Sequence, residues 1–140
     1  NKDNLDLVKI QNCKEGSISY QEGTGGIHNI VNKDNCGILP DFGNFCLRRE
    51  GDERWDTPCI EEYDKYVGIK ELMYKNMGSV SAKSYDFDKN GYETTINYER
   101  MMKILKEANF SGYIGVEYEG ESLSEEAGTK ATRDLLLKYI

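Results

Sequence analysis

The sequence predicts an α/β fold built on a parallel sheet. Three observations carry this. Four short segments, residues 17–21 (SISYQ), 36–39 (CGIL), 78–83 (GSVSAK) and 113–117 (YIGVE), each run into polar or glycine-containing residues, as buried parallel strands do. Amphipathic helical patterns follow them. The order is therefore strand then helix, repeated, which is the signature of βαβ construction.

The elements follow in order. The strand at 17–21 closes at Glu22 and the run Gly23-Thr24-Gly25-Gly26. Only about ten residues then separate Gly26 from Cys36, close to the shortest βα crossover, so the first helix is a turn or two or absent. The second strand stops at Pro40-Asp41. Residues 60–75 read as a helix with Tyr63, Val67 and Leu72 inward. Residues 97–108 place Met101, Ile104, Leu105 and Ala108 at i, i+3, i+4 and i+7, one apolar face, with Asn97 or Thr95 as the cap. Ser122-Leu123-Ser124-Glu125 fits a capping box. The helix it opens turns Ala127, Ala131, Leu135 and Leu136 inward.

The 140 residues carry a formal net charge of −7, with 31% charged and 38% hydrophobic residues. Such a surface repels phosphate backbones and argues against nucleic acid as a partner. No stretch reaches the roughly 18 apolar residues of a membrane span, and the polar start, Asn1 to Asp6, is not a secretory signal. Cys13, Cys36, Cys46 and Cys59 form no C-x-x-C pair, and with a single His there is no zinc pattern. They read as reduced, mostly packed thiols of a cytoplasmic protein.

Strand ends hold the candidate chemistry: Glu22, Asp41, Lys83 and Glu117. Ligands of parallel β/α folds bind at the carboxyl ends of strands, and three carboxylates meeting there suit a hard divalent ion such as Mn²⁺ or Mg²⁺. The competing reading is that strand ends are solvated and acids are cheap there. Asp86-Phe87-Asp88-Lys89-Asn90-Gly91 opens like an EF-hand loop, but Asn97 stands where a bidentate Glu is required, so Asn90-Gly91 reads as a turn. The Gly23–Gly26 run lacks phosphate-loop spacing. His28 has no Ser or Cys beside it to form a nucleophilic pair. Trp55 lies in the long loop after strand two, either over a pocket or packed on a helix.

Three segments carry a family resemblance: residues 39–45 (LPDFGNF), 80–87 (VSAKSYDF) and 112–120 (GYIGVEYEG). They resemble the sugar phosphate isomerase/epimerase family, with its xylose isomerase-like TIM barrel. The resemblance implies that residues 1–140 form the C-terminal half of a (βα)8 barrel, equivalent to strands five to eight, about half of the ~250 residues of a typical barrel. It also implies a metal held by Glu22, Asp41 and Glu117, with Glu22 and Glu117 moving protons at sugar carbons. Asn44 and Lys83 would contact substrate. Ser81 stands where many members place a His ligand, and Thr24 replaces the His of the family's glycine motif.

The expected function is thus a metal-dependent isomerase or epimerase of a small sugar or sugar phosphate, present as a half-barrel or fragment. The alternative is a non-catalytic half-barrel that binds a partner or itself. Expected partners are a small sugar and either a second copy or a missing N-terminal half, with neither nucleic acid nor membrane.

Overall fold

The computed structural model describes residues 37–51, 57–76 and 78–140. The expected first strand, Glu22, the Gly23–Gly26 run, His28, Cys13, Cys36 and Trp55 lie outside the described residues. Four strands and three α-helices follow in the order β1 (Cys46–Arg49), β2 (Cys59–Glu62), α1 (Lys65–Leu72), β3 (Ser79–Ser84), α2 (Tyr98–Glu107), β4 (Tyr113–Tyr118) and α3 (Glu125–Leu136), with a 3₁₀ turn over Met73–Lys75.

The expected strands at 78–83 and 113–117 form, whereas residues 37–39 of the expected second strand form no strand and touch the ladder only through a bridge at Ile38. β3 and β4 pair in parallel, with Ser81 opposite Gly115 and Lys83 opposite Glu117. The chain before β1 joins the same ladder through parallel bridges from Ile38 to Asn76 and from Asp41 to Ser81. Ser81 N–H donates to the Pro40 carbonyl at 2.8 Å and Phe42 N–H to that of Ser81 at 3.0 Å. Three neighbouring chain segments thus lie in chain order across the sheet, as successive units of a βα repeat do.

Side chains alternate between the faces of this ladder. Val80, Ala82 and Ser84 are buried on the face that the helices cover. Met101, Met102 and Leu105 of α2 and Leu135 and Leu136 of α3 join them in one core with Phe42, Phe45, Ile69 and Leu72. Tyr98 is buried in that core. Its hydroxyl donates to the Lys83 carbonyl at 2.8 Å and lies 3.2 Å from that of Ala82. Asn97 caps α2 by accepting from the Arg100 N–H at 2.9 Å.

Three expectations are corrected. Residues 60–75 are not one helix: β2 runs to Glu62, and Asp64 caps α1 by accepting from the Tyr66 and Val67 amides. Gly68 and Ile69 are buried there with Leu72, while Val67 is exposed. Ala at Gly68 would set its Cβ 2.1 Å from the Phe45 ring, so only glycine lets α1 approach. The cap of α3 is Ser124, which accepts from Ala127 N–H, so the helix begins two residues later than a Ser122 box would put it. Gly128 and Thr132 are buried there in place of Ala127 and Ala131.

The third correction concerns the cysteines. β1 and β2 form an antiparallel hairpin, and Cys46 and Cys59 are joined by a disulfide. The hairpin brings Cys46 and Cys59, 13 residues apart in sequence, to opposite strands within bonding distance. No helix among the described residues is long and apolar enough to cross a membrane.

The Asp86–Gly91 segment is a turn, as its chemistry predicts. Asp88 accepts from the Asn90 and Tyr92 amides at 2.8 and 2.9 Å. Gly91 takes φ +74°, a left-handed conformation that glycine adopts without strain.

Candidate functional site

The face of β3 opposite the helices carries Ser81 and Lys83, and the paired face of β4 carries Gly115 and Glu117. Asp41 lies beside Ser81 on the third segment. Its Oδ1 accepts the amides of Gly43 and Asn44 at 2.8 and 2.9 Å, a local turn that fixes the carboxylate at the strand end. Lys83 stands among these groups with its side chain only 4% exposed. Its ammonium donates to Asn44 Oδ1 at 2.8 Å and lies 2.9 Å from Glu119 Oε1, 3.6 Å from Glu117 Oε1 and 3.9 Å from Asp41 Oδ1. Ser81 Oγ donates to Glu117 Oε2 at 2.6 Å.

The core clamps this arrangement from behind. The Ser84 hydroxyl lies 3.1 Å from the carbonyl of Glu117 and 2.6 Å from the buried Thr132 hydroxyl. Thr132 in turn donates to the Gly128 carbonyl at 2.8 Å. The backbone that presents Glu117 is therefore tied to α3.

The protonation balance follows from burial and charge. Burial pushes the Asp41 carboxyl above its ordinary value, against the Gly43 amide, the Lys83 ammonium and Ser81. For Glu117 burial also pushes upward, but the Ser81 hydroxyl, the Lys83 ammonium and bonds with Asp41 and Glu119 outweigh it, and the net shift is downward. Burial disfavours the Lys83 cation. The bond to Glu119 and the charges of Asp41, Glu117 and Glu119 overcome this and raise its pKa. Lys83 is held charged, and two neighbouring carboxyls are pushed apart in acidity, which is how a site separates proton acceptor from proton donor.

The family model of the xylose isomerase-like TIM barrel matches residues 11–139. The chain belongs to this family. No curated protein matches it. Lys83 and Glu117 lie near the carboxyl ends of the paired parallel strands β3 and β4, with Asp41 bridged beside them; in barrels of this family type ligands bind at that end of the strands.

Of the expected site residues, the structure brings together Asp41, Asn44, Lys83 and Glu117. Glu22 lies outside the described residues. Among the described residues no three His, Cys, Asp or Glu side chains are placed to share one ion. The donors that are present suit a hard cation. Asp41 and Glu117 lie on the two segments that flank β3 and carry carboxylate oxygens that converge on one positive charge, and with Glu119 three carboxylates surround a single ammonium. Mg²⁺ and Mn²⁺ sites commonly use one or two carboxylates and complete the shell with water or substrate.

Two site residues exceed the sequence reading. Glu119, which alternation allows to reach the same pocket mouth as Glu117, is the acid nearest to Lys83. The signal was its parity: residues 117 and 119 point to one face of a strand. Gly43 has no such signal. A Cβ there would meet Lys83 Cδ at 2.8 Å and Tyr85 Oη at 2.7 Å, so its missing side chain leaves the path that the Lys83 stem follows. Two grooves, of about 620 Å³ between α1 and α2 and about 450 Å³ beside β4 and α3, lie away from this cluster.

Proposed function

We propose that this chain carries the proton-transfer site of an isomerase or epimerase acting on a small sugar or sugar phosphate. The observation that carries the proposal is a buried ammonium amid three carboxylates at the ends of parallel strands, in a member of the xylose isomerase-like TIM barrel family. Glu117, oriented by Ser81, is the carbon base. Its lowered pKa keeps it ionised and ready to accept a proton. Lys83 donates hydrogen bonds to a substrate hydroxyl or carbonyl oxygen, where negative charge grows as the proton leaves. Asn44 and Glu119 hold that ammonium in place. Asp41 and Glu117 would hold a divalent ion, with Glu22 as the expected further ligand, and the ion would supply Lewis acidity toward the substrate oxygens. A screen of small ketoses and their phosphates with Mn²⁺, Mg²⁺ or Co²⁺ tests the reading. Interconversion at adjacent carbons, lost in Glu117→Gln, is expected. Turnover that survives this substitution would contradict the assignment.

The architecture proposed for this activity is a half-barrel equivalent to strands five to eight. Its support is the chain-ordered parallel segment formed by residues 38–41, β3 and β4. Self-association belongs to the same proposal. Beside β4 and the end of α3, Tyr113, Leu137 and Ile140 are 83%, 62% and 80% exposed, and contiguous apolar surface of this kind favours association. Light scattering is expected to show a dimer or larger species at micromolar concentration; a stable monomer would contradict it.

A further inference from the structure

We propose that Tyr85 is a further substrate-binding residue, whose hydroxyl donates to a sugar hydroxyl beside the oxygen that Lys83 holds. This rests on the isomerase reading of the same site and deepens it.

Parity along the chain places Tyr85. Ser81 and Lys83 lie on the face of β3 that carries the charged cluster, and the same alternation brings residue 85 to that face. The pairing still holds there, since the Glu119 N–H donates to the Ser84 carbonyl at 2.9 Å. The atoms agree with the parity. A Cβ at Gly43 would lie 2.7 Å from Tyr85 Oη and 2.8 Å from Lys83 Cδ. The hydroxyl and the lysine stem therefore approach one point beside the Asp41–Asn44 turn. The Tyr85 ring is partly buried and packs on the core, and its N–H donates to Glu93 Oε1 at 3.1 Å. Packing and backbone together hold the hydroxyl at the site.

That hydroxyl differs from its neighbours in being uncommitted. Asp41 accepts two amides, Asn44 and Glu119 bond the Lys83 ammonium, and Ser81 donates to Glu117. The Tyr85 hydroxyl makes no hydrogen bond among the described residues. A donor in this position can exchange water for a substrate oxygen at little cost. Burial pushes its pKa above the ordinary tyrosine value; the Lys83 ammonium opposes this, and the charges of Glu119, Asp41 and Glu62 add to it. The hydroxyl keeps its proton and can donate. Three carboxylates face one ammonium in the cluster, a balance that disfavours a phosphate at this point. The oxygen that suits Tyr85 is an uncharged sugar hydroxyl. Such a bond forms in the bound sugar and in the transition state alike, so its loss weakens binding more than turnover.

The experiment compares wild type and Tyr85→Phe on the full chain. It measures kcat and KM on the ketose that the screen selects, and inhibition constants for the monodeoxy analogues of that ketose as competitors. Tyr85→Phe is expected to raise KM about five- to tenfold, with kcat changed less than about twofold and an unchanged urea midpoint. One deoxy analogue should bind equally to both proteins, because the hydroxyl that Tyr85 bonds is gone from it. An unchanged KM, or the same loss of affinity for every analogue, would overturn the proposal while leaving the isomerase reading intact. Absence of turnover of any ketose by wild type overturns both. A second measurement does not depend on the variant folding. In wild-type protein titrated with the same ketose, the Tyr85 Cζ NMR signal should shift along the same binding curve as the Glu117 carboxyl signal. A Tyr85 signal that stays still while the carboxyl responds overturns the proposal.

Discussion

The two faces of the β3–β4 ladder do different work. On one face Val80, Ala82 and Ser84 are buried under α2 and α3. On the other, one residue out of step, Ser81, Lys83 and Glu117 form a charged cluster with Asp41 and Glu119. The same backbone thus carries the packed core on one side and the charged cluster on the other. Alternation of side chains along a strand makes this possible, and the comparison teaches that damage to one face need not reach the other.

Substitutions can test how separate the faces are. Met101→Ala opens a cavity in the core that also buries Val80 and should cost about 2–5 kcal/mol in urea unfolding, with Mn²⁺ affinity of the folded protein unchanged. Loss of that affinity in conditions where the variant is folded would show that the faces are coupled. Gly128→Ala drives a Cβ to 2.2 Å from the Tyr118 ring and should cost about 1–3 kcal/mol through overpacking. Its effect should reach the site more than that of Met101→Ala, because Tyr118 adjoins Glu117. Tyr98→Phe leaves the carbonyls of Ala82 and Lys83 without their hydroxyl donor and should cost about 1 kcal/mol, read in the same unfolding assay.

Asp41→Asn sharpens the contrast from the site side. The amide oxygen can still accept from Gly43 and Asn44, and the burial cost of a carboxylate is removed. Stability should stay level or rise slightly while Mn²⁺ affinity falls. Unchanged affinity would remove Asp41 from the site. The smallest effect is expected at Asp88→Ala, far from both faces. The Tyr92 amide holds the Asp88 carboxyl below its ordinary value; desolvation opposes it, and the Asn90 bonds and the Lys138 charge reinforce it. A lowered folded pKa means that its contribution is present above the unfolded value near about pH 4 and fades as pH falls through the folded value. The stability gap between wild type and Asp88→Ala should therefore narrow between pH 5 and pH 2. A gap that does not narrow would contradict the bonding seen at this turn.

The parallel ladder and its helices were legible because their signals are local. GSVSAK and YIGVE give β3 and β4 nearly to the residue, and the spacing of Met101 and Leu105 with Asn97 as cap gives α2. Asp41, Lys83 and Glu117 followed from their place at strand ends. The β1–β2 hairpin was not legible. Its sequences CLRR and CIEE are charged, β2 is exposed throughout, and neither carries a period-2 apolar pattern. What holds it is cross-strand, the Cys46–Cys59 bond and the Arg48–Glu61 pair, and such pairs have no signature within one strand. The cap Ser124 was missed because Ser122 offered an equally good local pattern, and the cap Asp64 because residues 60–75 read as one continuous helix. Gly68 and Gly128 are buried for the rings they admit, Phe45 and Tyr118, which only tertiary contact reveals.

The central claim is that Glu117 moves a proton at carbon. Its most direct test is deuterium incorporation from D₂O into small ketoses and their phosphates, followed by NMR with Mn²⁺ present at catalytic levels, for wild type and Glu117→Gln. The account predicts label at the carbon beside the carbonyl with wild type, and a rate lower by about 10²–10⁴-fold in the variant, with an unchanged urea midpoint. Incorporation at equal rates in both proteins, or none above background with wild type, would contradict it.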